Sequence, residues 1–202
     1  MKLAASFLVV LAISTIAFSQ SAKIATLAQI EAYAKSIDRL MNRHKEPDVI
    51  IADVSDYDSD DPKWQRFKTS KELETFRENT ETYTIANNWR SNGKLVSSLF
   101  TLFSPSGDWA QYVSHYFRPD GSAAKVTTEM RTFNGDYIII REMYFDPRGK
   151  LLKKASKYLD LSTKKPKKPT AEMTEENSES YKADYYKKVS ALPFYTLTKT
   201  KI

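Results

Sequence analysis

"FRPDGSAAK" at residues 117–125 and "FDPRGKLLK" at residues 145–153 write the same turn twice, 28 residues apart. Each opens Phe-x-Pro-x-Gly. Proline presets the negative φ of the second position in a type I turn. Glycine accepts the left-handed conformation that follows in a short hairpin loop. Phe103-Ser104-Pro105-Ser106-Gly107 is a third copy. The chain contains five glycines, Gly93, Gly107, Gly121, Gly135 and Gly149, each 14 residues after the one before. The two outside the Pro-x-Gly phrase follow asparagine, in Asn92-Gly93 and Asn134-Gly135, and Asn-Gly is the strongest short hairpin signal. A fixed period marks a repeated supersecondary unit.

Between glycines lie about ten residues rich in Val, Ile, Thr, Tyr and Phe, the length and composition of long strands. The period therefore predicts a six-stranded antiparallel up-and-down meander, with strands near 81–91, 95–104, 108–118, 122–132, 137–146 and 150–160. A type I turn with a bulge would set Trp89 opposite Leu95, Phe103 opposite Trp109, Phe117 opposite Ala123, Arg131 opposite Tyr137 and Phe145 opposite Leu151. Four of these pairs begin with an aromatic, which pins register. The exception falls at Asn134-Gly135, where a two-residue loop would swap the faces. On this reading Val96, Phe100, Leu102, Ala110, Tyr112, Tyr116, Val126 and Met130 share an apolar face. Lys125, Thr127, Glu129 and Arg131 lie on a wet one. The phrase "YFDPRGKLLK" resembles the hairpin units of bacterial repeat proteins of the YD or MORN-like kind. The resemblance covers the turns alone and implies nothing about activity.

The apolar face needs a cover. Ile24, Leu27, Ile30, Tyr33, Ala34, Ile37, Leu40 and Met41 recur at helical spacing, so an N-terminal amphipathic helix is expected to supply it, ending at Glu46-Pro47. Val49-Ile50-Ile51-Ala52 has the character of an extra strand. Thr69 with Glu72 reads as a capping box opening a short second helix. The fold class is thus α+β. After Leu161 a basic, Pro-containing linker (162–172) leads to an expected C-terminal helix over 173–190, stopped by Pro193, and a closing stretch with strand-like alternation to residue 202. Residues 20–161 would form the helix-plus-meander domain.

The N-terminus reads as a leader. Lys2 precedes an uncharged apolar run, and Ala17 and Ser19 make a small-x-small site, so cleavage is expected between Ser19 and Gln20. No Cys follows that could carry a lipid anchor, and no later stretch is apolar enough to span a bilayer. The mature protein is expected in the periplasm or outside the cell. Cys is absent throughout, so no disulfide supports the fold and no thiol chemistry is available. The net charge of +6 is modest, and nucleic acid is not an expected partner.

Chemistry-bearing motifs are sparse. His44 and His115 are the two histidines. His44 closes the first helix, where a cation suits the carbonyl end of the dipole. His115 as a general base would need a carboxylate such as Glu129 or Glu142 beside it. Asp56, Asp58 and Asp60 alternate as calcium ligands do, but Asp61 stands where the loop needs glycine and Phe67 where it needs glutamate, so they read as a solvated acidic loop. Phosphate loops, serine elbows and cofactor fingerprints are missing, and no cofactor is expected. Eight lysines and one acid lie between Lys150 and Lys168, which suits an aggregation-resistant edge strand.

The expectation is a non-catalytic scaffold presenting a surface or groove to a partner, with Trp109, Tyr112, His115 and Tyr116 as candidate binding residues. The alternative is a carrier that wraps an apolar ligand such as a lipid in a curved aromatic sheet. A hydrolase is the third reading. The partner class would be an apolar small molecule or a component of the cell envelope.

Overall fold

The structure is a computed structural model that describes residues 24–57, 59–174 and 185–199. The expected leader, its expected cleavage between Ser19 and Gln20, and Asp58 lie outside those residues. The chain forms one eight-stranded antiparallel sheet with few helices. Helix α1 (Leu27–Arg43) comes first, then β1 (Val49–Asp53), β2 (Trp64–Phe67) and helix α2 (Ser70–Arg77). The meander follows as β3 (Thr84–Ser91), β4 (Lys94–Phe103), β5 (Trp109–Phe117), β6 (Ala123–Thr132), β7 (Tyr137–Phe145) and β8 (Leu151–Asp160). Strand order is β2-β1-β3-β4-β5-β6-β7-β8.

The expected six strands are β3 to β8, in sequence order. The sheet has eight because the Val49–Ala52 run does form a strand and recruits β2, a four-residue edge without a hairpin signal of its own. Helix α1 starts in a full capping box: Thr26 Oγ1 accepts the Gln29 N–H, and the Gln29 side chain accepts the Thr26 N–H. At α2, Thr69 Oγ1 caps the Glu72 N–H at 3.1 Å, while the Glu72 carboxylate reaches back to the Lys68 N–H.

Two of the five expected register pairs hold, Phe117 with Ala123 and Phe145 with Leu151. The other three are shifted by one residue. Asn92-Gly93 closes as a two-residue turn with both residues left-handed, so Leu95 faces Arg90 and not Trp89. Phe103 faces Ala110, and Thr132 faces Tyr137. A one-residue shift exchanges the faces of a strand. Bulges add to this. Val96, Ala124 and Leu152 are the extra residues in their strands, each three positions after Gly93, Gly121 or Gly149. The expected even-numbered face is therefore split. Phe100, Leu102, Val126 and Met130 lie on one side, and Val96 and Tyr116 lie on the other against α1.

Both sides are covered. On the helix face, Ile30, Ala34 and Ile37 of α1 pack on Val96, Tyr116, Ala124 and Tyr144. Leu73 of α2 packs on Ile50, Ala52, Phe67 and Ile85. Lys125, expected on a wet face, is buried under α1, where its ammonium meets Glu142 at 2.7 Å and Glu31 at 3.4 Å. Arg131 on the same face is exposed. The opposite face carries the largest core cluster, closed by Leu192 and Phe194 of the C-terminal segment.

That segment is not the expected helix. Residues 171–174 are helical, residues 175–184 lie outside those described, and residues 185–190, expected at the end of the helix, do not continue an α-helix. From 185 the chain runs as an extended strap with two short 3-10 turns, Val189–Ala191 and Tyr195–Thr198. The second turn replaces the expected terminal strand, because the strap is held side-on to the sheet by its apolar residues. Among the described residues the strap makes one β-bridge, Ser122 with Lys188.

Candidate functional site

A meander alternates its turns between two ends, so every second glycine marks one end. Gly93, Gly121 and Gly149 fall together, which answers why the Pro-x-Gly phrase recurs after 28 residues: Arg118-Pro119-Asp120-Gly121 and Asp146-Pro147-Arg148-Gly149 are neighbouring turns. Both close with the same pair of main-chain bonds. Gly121 N–H meets Arg118 O at 2.8 Å and Arg118 N–H meets Ser122 O at 2.8 Å; the counterparts at Asp146 are both 2.9 Å.

Arg118 ties this end together. Its side chain is fully buried and donates to the carbonyls of Ile24, Ala123 and Phe145. Burial pushes its pKa down, and the nearby Asp120 and Asp146 support its charge. Nothing in the sequence marked it, because a surface turn normally leaves its first residue in water.

The strap crosses the same end. Lys187 O accepts the Ala123 N–H at 2.8 Å and Gly121 O accepts the Val189 N–H at 2.9 Å. Arg90 donates to Thr198 O, and Arg66 to Leu197 O at 3.4 Å, at the carbonyl end of the second 3-10 turn. Between turns and strap is an open groove of about 800 Å³. Its lining includes Arg90 and Lys94 from the β3–β4 hairpin, Pro119, Asp120 and Pro147 from the turns, and Lys188, Tyr195 and Lys199 from the strap. Pockets of this size take small-molecule ligands.

The four candidate binding residues do not converge. His115 is fully buried on the strap face, stacked 5.6 Å from Phe117. Its Nδ1 lies 3.2 Å from Ser98 O, and Nε2 accepts the Tyr186 N–H at 3.0 Å. Burial lowers its pKa from 6.5 to about 4, so the ring is neutral. Its cross-strand neighbours are Ser98 and Val126. Glu129 and Glu142 are on the helix face, so neither orients the imidazole. Trp109 lines a small hollow at the other end of the sheet with Asp53, Tyr57 and Tyr83. Tyr112 and Tyr116 face the helix side: the Arg131 guanidinium covers the Tyr112 ring at 4.7 Å, and Tyr116 Oη donates to Asp38 at 2.8 Å. Asp56 and Asp60 are exposed. Among the described residues no three His, Cys, Asp or Glu side chains gather where they could hold a metal ion.

The basic stretch after Gly149 follows the outer strand β8. Part of it is spent locally: Lys157 pairs with Glu142 at 2.9 Å, and Lys167 donates to the Gly135 and Asp136 carbonyls. Residues 165–167 fold back along the outer edge of β8 at Tyr158 and Asp160. Among the described residues no helix is long and apolar enough to cross a membrane. The chain matches no protein-family model, no curated protein and no solved structure.

Proposed function

We propose that this chain is an extracytoplasmic, non-catalytic scaffold that presents the groove at the turn end of its sheet to a partner. One observation carries the reading: the chain's own segments fill both faces of the sheet, while a concavity of about 800 Å³ stays open between three tight turns and the strap. The walls are bulged hairpins stitched by Arg118, so the groove is pre-formed and its ligand need not order it.

A carrier of an apolar ligand is the second reading. It is favoured by the aromatic floor of the strap face, where Phe100 meets Tyr186, Phe194 and Trp64 at 5.4–6.3 Å between ring centroids. That floor is occupied by the strap, so a carrier would have to displace it.

Amide NMR during a screen of small ligands separates the two. Scaffold binding perturbs Lys94, Ser122, Val189 and Lys199. Perturbation centred on Val113, His115 and Val126, or lipid co-purified under native mass spectrometry, replaces it with the carrier. A hydrolase activity lost on changing His115 would overturn both.

A further inference from the structure

We infer that the groove is an anion site, taking a ligand with two or more phosphate or carboxylate groups that bridges the β3–β4 hairpin to the strap. The inference rests on the groove reading and names its ligand class. Four cations, Arg90, Lys94, Lys188 and Lys199, share the concavity with a single carboxylate, Asp120. Among the described residues none of the four makes an ion pair. Asp120 does not serve as their counter-ion. Its Oδ1 accepts the Ser122 N–H at 2.9 Å and the Ser122 hydroxyl at 2.7 Å, and its charge supports buried Arg118.

Like charges gathered around one concavity, with no counter-charge paired to them among the described residues, focus a positive field into it. Two of these cations are already held. Arg90 spends one donor on Thr198 O, which leaves other guanidinium N–H groups for a ligand. Lys199 stands 4.2 Å over the Tyr195 ring, which fixes its head at the groove wall. The cations belong to two separate pieces of chain, so one divalent ligand would cross-link hairpin and strap.

Isothermal titration of the full mature chain with inorganic tripolyphosphate and, separately, with citrate tests this. Binding of either is expected, and which one binds tells phosphate from carboxylate ligands. It should weaken as added salt shortens the screening length from about 10 to about 3 Å. Lys94→Glu with Lys199→Glu should weaken binding by about tenfold or more. Lys154→Glu, an exposed change on β8 outside the groove, should leave it alone. Bound ligand should also slow hydrogen exchange at Val189 in the strap, which diffuse charge binding does not do.

The inference fails if Lys154→Glu weakens binding as much as the groove pair, or if the groove pair changes nothing. It also fails if neutral ligands perturb the groove amides and neither anion does; the groove reading then survives. No response of the groove to a ligand of any charge removes both.

Discussion

Nε2 of His115 accepts the main-chain N–H of Tyr186 at 3.0 Å, across 71 positions of sequence. The acceptor role requires a neutral ring, with the proton on Nδ1 facing Ser98 O. One imidazole thus sets the height at which the strap crosses the sheet.

Protonation should loosen the strap. The folded pKa is about 4 against an ordinary 6.5, because burial disfavours the cation. Between those values the unfolded chain takes up a proton that the folded chain refuses. The contribution of His115 is therefore whole above about pH 6.5 and is lost as the pH falls toward about 4. Roughly 3 kcal/mol is involved. His115→Gln should flatten that part of the stability curve. Urea melts of the two proteins from pH 7 to 4 check this, and parallel curves would reject it.

Gly121 and Gly135 should fail differently. Gly121 has φ of +84°, and an added Cβ would find its nearest neighbour at 3.7 Å, so the Cβ that Gly121→Val adds meets backbone strain and no collision. The expected loss is about 1–3 kcal/mol. At Gly135 the left-handed residue is the next one, Asp136, with φ of +50°. A Cβ on Gly135 would overlap the buried Tyr137 ring. Gly135→Ala should displace that ring at a similar cost, and adding Tyr137→Leu should recover part of it. Thermal melts of the three variants decide, and a harmless Gly135→Ala would remove the contact as the cause.

Lys125 sits between α1 and the sheet, its ammonium shared by Glu142 and Glu31 and 5.0 Å over the Tyr144 ring. Burial opposes its charge, and the contacts to Glu142 and Tyr144 outweigh that. Replacing a buried charge by an apolar side chain of similar length is often near neutral. Lys125→Met combined with Glu142→Gln should stay within about 1 kcal/mol of the parent, while Glu142→Ala alone should cost about 1–3 kcal/mol. Equal melting of all three would show that the cluster carries no stability.

Arg118→Lys should be severe despite keeping the charge. A lysine has one nitrogen and cannot reach carbonyls of three separate segments in the fork geometry of a guanidinium. Loss of about 3 kcal/mol or more is expected, with early hydrogen exchange at Gly121 and Gly149. A urea midpoint near that of the parent would show that the three carbonyls do not need the arginine.

The comb of glycines made the meander legible because turn chemistry is local. Proline and Asn-Gly restrict φ within four residues, and nothing distant can easily override them. The same locality made α1 and the Thr69 cap readable. The faces were not readable. Whether Trp89 meets Val96 or Ser97 depends on a bulge of one residue at Val96, and that choice is made by what packs above it. Lys125 looked solvent-facing for the same reason, since a lysine carries no sign that two glutamates and a helix will cover it.

The strap and its groove were hidden for a further reason. Short 3-10 turns have no periodicity, and Tyr186, Leu192 and Phe194 acquire their meaning only from Phe100 and His115, more than seventy residues earlier. By itself the sequence determined where the chain turns and that successive strands run antiparallel, because those depend on dihedral preferences of adjacent residues. Tertiary structure alone decided which side chains face inward, what covers each face and which cations share a groove, because those depend on contacts between residues far apart in the chain.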